Sequence, residues 1–280
     1  MAKYKFNYKI SEFTPYTELD TINLFDTGHC EPNMSAIDTF FEKTGELNKI
    51  FKGPEEVTGQ LPNLVLLGYV SAVESYFREI TRRLIVIDEV SRTACENQTL
   101  TYGAVIIHRD SEMLPEALLE NLSFTNKKNI VDAIKNFLGV KGNFPAEVVK
   151  VLDEFSRVCQ LRHCIAHRFG KLGSNNAIKL GLMEHKECLE KPLKLNDRNL
   201  QEVFQVCNIT VKIINNFLFQ TVLARTLKEE DCIWTWDLRT DKAEFKKYFD
   251  VFFSKRNPFT IKEVYEAFRE TYKTQSGERR

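Results

Sequence analysis

No charge of one sign dominates this chain. Lys plus Arg and Asp plus Glu each number 39, so there is no basic excess of the kind that advertises a nucleic-acid partner. Any polyanion has to be held by a local patch. Long hydrophobic runs are also missing. The best apolar stretch, Leu64 to Val73, is far too short to cross a bilayer, and Met1 to Ile10 alternates lysines with aromatics instead of forming an apolar leader core. A cytoplasmic protein with no membrane partner is the expectation. The seven cysteines, Cys30, Cys95, Cys159, Cys164, Cys188, Cys207 and Cys232, are scattered and contain no C-x-x-C pair. Their odd number argues against a disulfide framework and their spacing against a zinc ribbon, leaving reduced, mostly buried thiols. No phosphate-cradling Gly-rich loop and no G-x-S-x-G elbow occur, which removes the usual signatures of nucleotide-dependent and serine-hydrolase chemistry.

What is present is ordinary globular material: 280 residues, 43% hydrophobic and 28% charged, enough to bury a real core. The opening segment to about Pro32 has no helical period and reads as extended or loop structure wrapping the core. Apolar residues recur at helical spacing from Met34 to Lys52 and again, over the longest periodic stretch, from Leu61 to Cys95. Asn97 to Asp110 is compatible with a short strand or a buried helical turn. Helical patterns resume at Pro115 to Leu122 and Asn126 to Leu138, then from a start signal at Asn143 and Pro145 through to Arg168. Phe169 to Leu182, with three glycines and a Ser-Asn-Asn run, reads as a loop or tight hairpin. Asn196 to Thr226 is a second long amphipathic helix.

Beyond about Lys228 the pattern changes. Cys232 to Trp236 is strand-like, two shorter amphipathic segments follow, and Thr260 to Glu263 fits a capping box. The resulting division is an N-terminal segment and helix (1–60), a helical core (61–227) and a small α+β C-terminal appendage (228–280), mainly α as a fold class.

Chemistry concentrates at Arg162-His163-Cys164-Ile165-Ala166-His167, near the end of a long helix. Histidine, the residue type at 167, is the side chain suited to proton exchange, and Arg162 is able to clamp a phosphate by two charge-assisted hydrogen bonds. These are the two tasks of metal-free phosphodiester cleavage: a base removes the proton of a ribose 2′-hydroxyl while a cation stabilises the crowded phosphorus centre. Five helical positions rotate a side chain by about 140° net, so Arg162 and His167 bracket a groove, whereas His163 and His167, four apart, share a face.

This string resembles the R-x(4-6)-H signature of the HEPN superfamily, the RiboL-PSP-HEPN and MAE-like groups among them. In that superfamily the Arg and His sit on a late helix of a short bundle and a polar residue follows the Arg, as His163 does here. Leu161 before the string, Arg168-Phe169-Gly170 after it, and the helix holding Glu74, Tyr76 and Phe77 extend the likeness over about residues 61 to 226. The resemblance implies an antiparallel helical bundle and a metal-independent endoribonuclease that needs no cofactor. It also implies a homodimer whose two signature helices pool Arg162, His163 and His167 in one cleft, in the setting of toxins or anti-phage defence with an antitoxin or other partner protein. Apart from the resemblance, Arg82-Arg83 and Arg168 with Lys171 and Lys179 offer a local basic patch for RNA or are merely solvated surface cations, and Glu74 is a candidate to orient Arg162 or a bound phosphate.

Blander readings stand beside this one. His163 and His167, with Cys159 or Cys164, have metal-ligand spacing, although the Glu of an H-E-x-x-H motif is missing. Arg162 has Asp153 and Glu154 as structural ion-pair partners within reach of its helix, and His167 is placed to cap carbonyls at the helix end. Glu74 and Arg78, four apart, have the order of a plain surface ion pair. Trp234 and Trp236 are packing residues or, on an exposed strand, a base-stacking platform. A non-catalytic helical module that binds RNA or protein is the alternative function.

Overall fold

The structure, a computed structural model, describes residues 8, 10–12, 16–50, 59–108, 112–227 and 233–277, with side chains of helical residues described to 274. The chain divides into two compact units, Met1–Asn33 and Met34–Arg280. In the first, the described residues are irregular apart from one 3-10 turn, Ile22–Leu24, held at its start by Asp20, whose carboxylate accepts from the Ile22 N–H (3.1 Å) and the Asn23 amide (2.6 Å).

The second unit is helical, and among the described residues no strand forms. Its helices are α1 (Ala36–Ile50), α2 (Leu61–Ile87), α3 (Glu89–Cys95), α4 (Tyr102–His108), α5 (Leu114–Leu119), α6 (Lys127–Leu138), α7 (Ala146–Arg168), α8 (Ser174–His185), α9 (Asp197–Ala224), α10 (Leu238–Phe252) and α11 (Ile261–Gly277). The expected periodic segments therefore fold as helices, and the ambiguous stretch from Asn97 resolves as α4, with residues 109–111 outside the described set.

The long second segment breaks where one helix was expected. Asp88 is extended (φ −108°, ψ 122°) and its carboxylate accepts from the Ser91 N–H at 2.7 Å, so it ends α2 and caps α3. The same carboxylate receives the Arg225 guanidinium, which also donates to Ser91 Oγ (2.9 Å) and to the Leu138 carbonyl (2.5 Å). One buried charge thus ties the α2/α3 corner to the ends of α6 and α9.

The bundle is organised around α2, about 40 Å long at 1.5 Å per residue, which packs against α1, α3, α5, α6, α7, α9 and α10. It buries Val65, Leu66, Tyr69, Val70, Val73, Tyr76, Phe77, Ile80 and Leu84. Gly68 sets the closest approach: a Cβ there would lie 2.8 Å from the Leu47 methyls of α1. At the heart of the bundle the buried Tyr76 hydroxyl donates to Asn215 Oδ1 (3.2 Å), and Asn215 donates onward to the Phe252 carbonyl (2.9 Å). By length and composition α9 is apolar enough to cross a membrane, but Leu200, Val203, Val211, Ile214, Leu218 and Val222 are buried in the bundle. Its start carries a capping box, Asn196 with Asn199.

Two local expectations are corrected. Asn143 does not open α7; Pro145 occupies that position without a side-chain cap. The strand expected near 232–236 is replaced by irregular chain at Ile233–Trp236, with Cys232 outside the described residues. The cause is Asp241, whose carboxylate accepts from the Thr235 N–H (3.0 Å), the Thr235 hydroxyl (2.8 Å) and the Trp236 N–H (2.9 Å), so these donors are spent on a side chain rather than on a ladder. Instead of an α+β arrangement, the C-terminal part is helical: α10 lies on α1, α2 and α9, and α11 packs on α10. The expected capping box of α11 is formed, with the Thr260 N–H on Glu263 Oε2 (2.7 Å) and the Glu263 N–H on Thr260 Oγ1 (3.3 Å).

Candidate functional site

Helix α7 is held on three sides by α2, α6 and α9, because Val148, Leu152, Phe155, Val158 and Cys159 recur on its inner face and are buried. Its last turns emerge from that packing. Arg162 and His163 are half-buried, Cys164 and Ile165 turn inward, and His167 and Arg168 face solvent. The helix stops at Phe169, which takes the left-handed conformation (φ 53°, ψ 40°), and the Cys164 carbonyl accepts from both the Phe169 and Gly170 N–H groups. The chain then pairs with residues 190–193: Leu172 N–H donates to the Lys191 carbonyl (3.0 Å), and Leu193 N–H to the Gly170 carbonyl (2.9 Å). This rigid return fixes the helix end.

After the return the chain is helical, in place of the loop or hairpin expected from the glycines. Gly173 occupies the N-cap, Ser174-Asn175-Asn176 forms the first turn of α8, and Gly181 (φ 108°, ψ 93°) kinks it. Small polar residues and glycine suit a helix start as well as a loop, which is why composition misled here. Asn176 anchors α8 to α7 through the buried Gln160, donating to its side-chain oxygen (3.2 Å). Nothing in the spacing of the two residues announced that tie.

The residues singled out in the sequence fall into two groups. Arg162, His163, His167 and Lys179 come together. The rings of His163 and His167 stack with centroids 5.8 Å apart and planes 18° from parallel. The His163 imidazole is held below its ordinary pKa of 6.5, first by burial and then by the positive charges of Arg162, His167 and Lys179. Lys179 of α8 therefore contributes to the same electrostatic environment as α7. Among the described residues Arg162 makes no ion pair. Its two candidate partners are engaged elsewhere, Asp153 with Lys127 at 2.8 Å and Glu154 with Arg157 at 3.8 Å.

Arg168, Lys171 and Glu74 are differently occupied. Arg168 pairs with Glu190 at 2.6 Å and lies over Gly173, so part of the expected basic patch is locally neutralised. Lys171 is exposed on the paired return. Glu74 accepts the Phe124 N–H at 3.1 Å and fixes the segment between α5 and α6. It does not pair with Arg78. That guanidinium instead donates to the carbonyls of Leu119 (2.6 Å) and Leu122 (2.7 Å) at the end of α5, where unsatisfied carbonyls and the helix dipole attract a cation. The sequence pattern offered no sign of Glu190, which lies 22 residues from the arginine it pairs with.

The cysteines near the motif are inward-facing. Cys159 and Cys164 are buried, and burial pushes both thiols up. Among the described residues no cluster of three or more His, Cys, Asp or Glu side chains assembles. Trp234 and Trp236 are packing residues: Trp234 meets Phe245 and Phe268 edge-on, and Trp236 stacks on Tyr272 at 4.4 Å. Compared with known proteins, the chain matches no family model, no curated protein and no solved structure.

Proposed function

We propose that the chain is a metal-independent endoribonuclease acting through the open end of α7, in a HEPN-like arrangement of α2, α7 and α9. What supports this is an arginine that has no acidic partner among the described residues, beside two stacked imidazoles at a helix end that opens to solvent. A guanidinium held in an ion pair has its charge already spent. Arg162 retains it for a phosphate. His167, exposed, takes the 2′-hydroxyl proton or returns one to the leaving 5′-oxygen, and the predominantly neutral His163 assists as a polar group. Lys179 and Lys171 supply the remaining local positive charge for the backbone.

A second copy of the chain would complete the cleft. Phe169 (78% exposed), which caps the end of α7, and Ile178 (61%) and Met183 (85%) on α8 present apolar surface, which supports a homodimer with the two helix ends facing each other. The same exposed residues favour one rival reading, a non-catalytic module whose α8 docks a partner protein of a toxin or defence system. Substrate chemistry separates the two. An RNA with a single 2′-deoxy substitution at the cleaved position resists a nuclease that uses the 2′-hydroxyl, and the unmodified RNA yields a 2′,3′-cyclic phosphate and a 5′-hydroxyl. Absence of these ends counts against the proposal.

A further inference from the structure

Away from the motif, α1, α9, α10 and the 253–258 turn enclose a cavity of about 450 Å³, within the roughly 300–1,000 Å³ of small-molecule sites. Its wall is aromatic, with Phe41, Phe204, Phe249 and Phe253 lining it. Two cations converge on one ring: the Arg256 guanidinium lies 4.4 Å and the Lys212 ammonium 5.6 Å from the Phe41 centroid. Among the described residues neither cation forms an ion pair with a carboxylate.

The nearby carboxylate is already committed. Asp38 of α1, buried, accepts from Ser254 Oγ (2.7 Å) and from the Lys255 N–H (3.0 Å). It thereby fixes the turn that carries Arg256, whose own N–H donates to Ser254 Oγ (3.2 Å). The arginine is consequently presented by a rigid, buried anchor and not by a free loop.

The cavity also holds an unmet polar demand. Asn208 lines it, and its Oδ1 is buried without a hydrogen-bond partner. Its neighbour Asn215, one of the same lining residues, is satisfied on both sides by Tyr76 and Phe252. Buried acceptors are nearly always paired, so an orphan on a residue that lines a cavity points to a ligand donor.

We propose that this cavity binds a nucleoside monophosphate, with the phosphate on Arg256 and Lys212, the base against the phenylalanine wall, and a base N–H on Asn208 Oδ1. Each part of the site argues for a different part of that molecule. A simple anion would leave the aromatic wall and Asn208 unused, and an apolar ring would leave two cations unused. The site is separate from α7, and the inference does not rest on the ribonuclease reading.

Isothermal titration calorimetry of the full chain with AMP, GMP, CMP and UMP, alongside adenosine and inorganic phosphate, tests it. At least one nucleotide should bind saturably, one per chain, more than tenfold tighter than its nucleoside or phosphate. The double variant Arg256→Gln/Lys212→Gln, at exposed positions and with its fold verified by circular dichroism, should weaken the nucleotide at least tenfold and leave the nucleoside unchanged. Asn208→Leu should weaken both, and Arg162→Ala neither. No saturable binding by any of the four, equal binding of inorganic phosphate, or binding lost in Arg162→Ala but kept in the double variant would overturn the proposal.

Discussion

The imidazoles of His163 and His167 stack at 5.8 Å within one exposed helix end. Burial, followed by the positive neighbours Arg162, His167 and Lys179, makes His163 harder to protonate than an ordinary imidazole. The first prediction is therefore a stability profile. Because the folded-state pKa of His163 lies below its ordinary 6.5, the unfolded chain takes up that proton first. The contribution is fully present above pH 6.5, falls as the pH drops through that value, and levels off below the folded-state value. Urea midpoints measured from pH 8 to 5 should decline less in His163→Gln than in the wild type. Parallel profiles would contradict this.

Asp88 and Arg225 form a buried pair joined to Ser91 and the Leu138 carbonyl. Replacing Asp88 by Ala leaves a guanidinium without its counter-ion and removes the α3 cap. The expected loss is about 3–5 kcal/mol, read as a lowered denaturant midpoint with an unchanged slope.

Asp241 anchors the start of α10. Burial pushes its carboxyl up, but hydrogen bonds from Tyr265, Thr235 and Trp236 outweigh that and hold it below the ordinary 3.8. Its stabilisation is present above that ordinary value and is lost as the pH falls through the lower, folded-state value. Asp241→Ala should cost about 2–4 kcal/mol. Both tryptophans of the chain pack beside this network, so the variant should also show red-shifted fluorescence.

The proposed dimer through α8 is open to a check by light scattering. The wild type should run at about twice 32.6 kDa, and Ile178→Asp with Met183→Asp should return it to the monomer mass while abolishing RNA cleavage. A monomeric wild type that still cleaves RNA would contradict the composite cleft.

Much of the bundle was legible because amphipathic period is a local property. The capping box at Thr260 was visible in its residues, and the helical patterns that open at Asn126 and Asn196 begin at the residues that prove to cap α6 and α9. The choices that escaped were those decided by distant partners. Asp88 breaks the long helix while Arg225, 137 residues away, waits for its carboxylate. Asp241 takes the donors that a strand at Thr235 and Trp236 needed. Gly173 and Asn176 read as loop residues until Gln160 of α7 is seen to receive α8. At the candidate site, the grouping of Arg162, His163 and His167 follows from helix geometry, whereas the occupation of Arg168 by Glu190 and of Glu74 by Phe124 depends on tertiary contacts that spacing does not encode.

Metal-free RNA cleavage by Arg162 and His167 is open to one direct test. Purified wild type, Arg162→Ala and His167→Ala, each verified as folded, should be incubated with total RNA in excess EDTA. Cleavage by the wild type should survive chelation and vanish in both variants. Cleavage that EDTA abolishes, or that either variant retains, would contradict it.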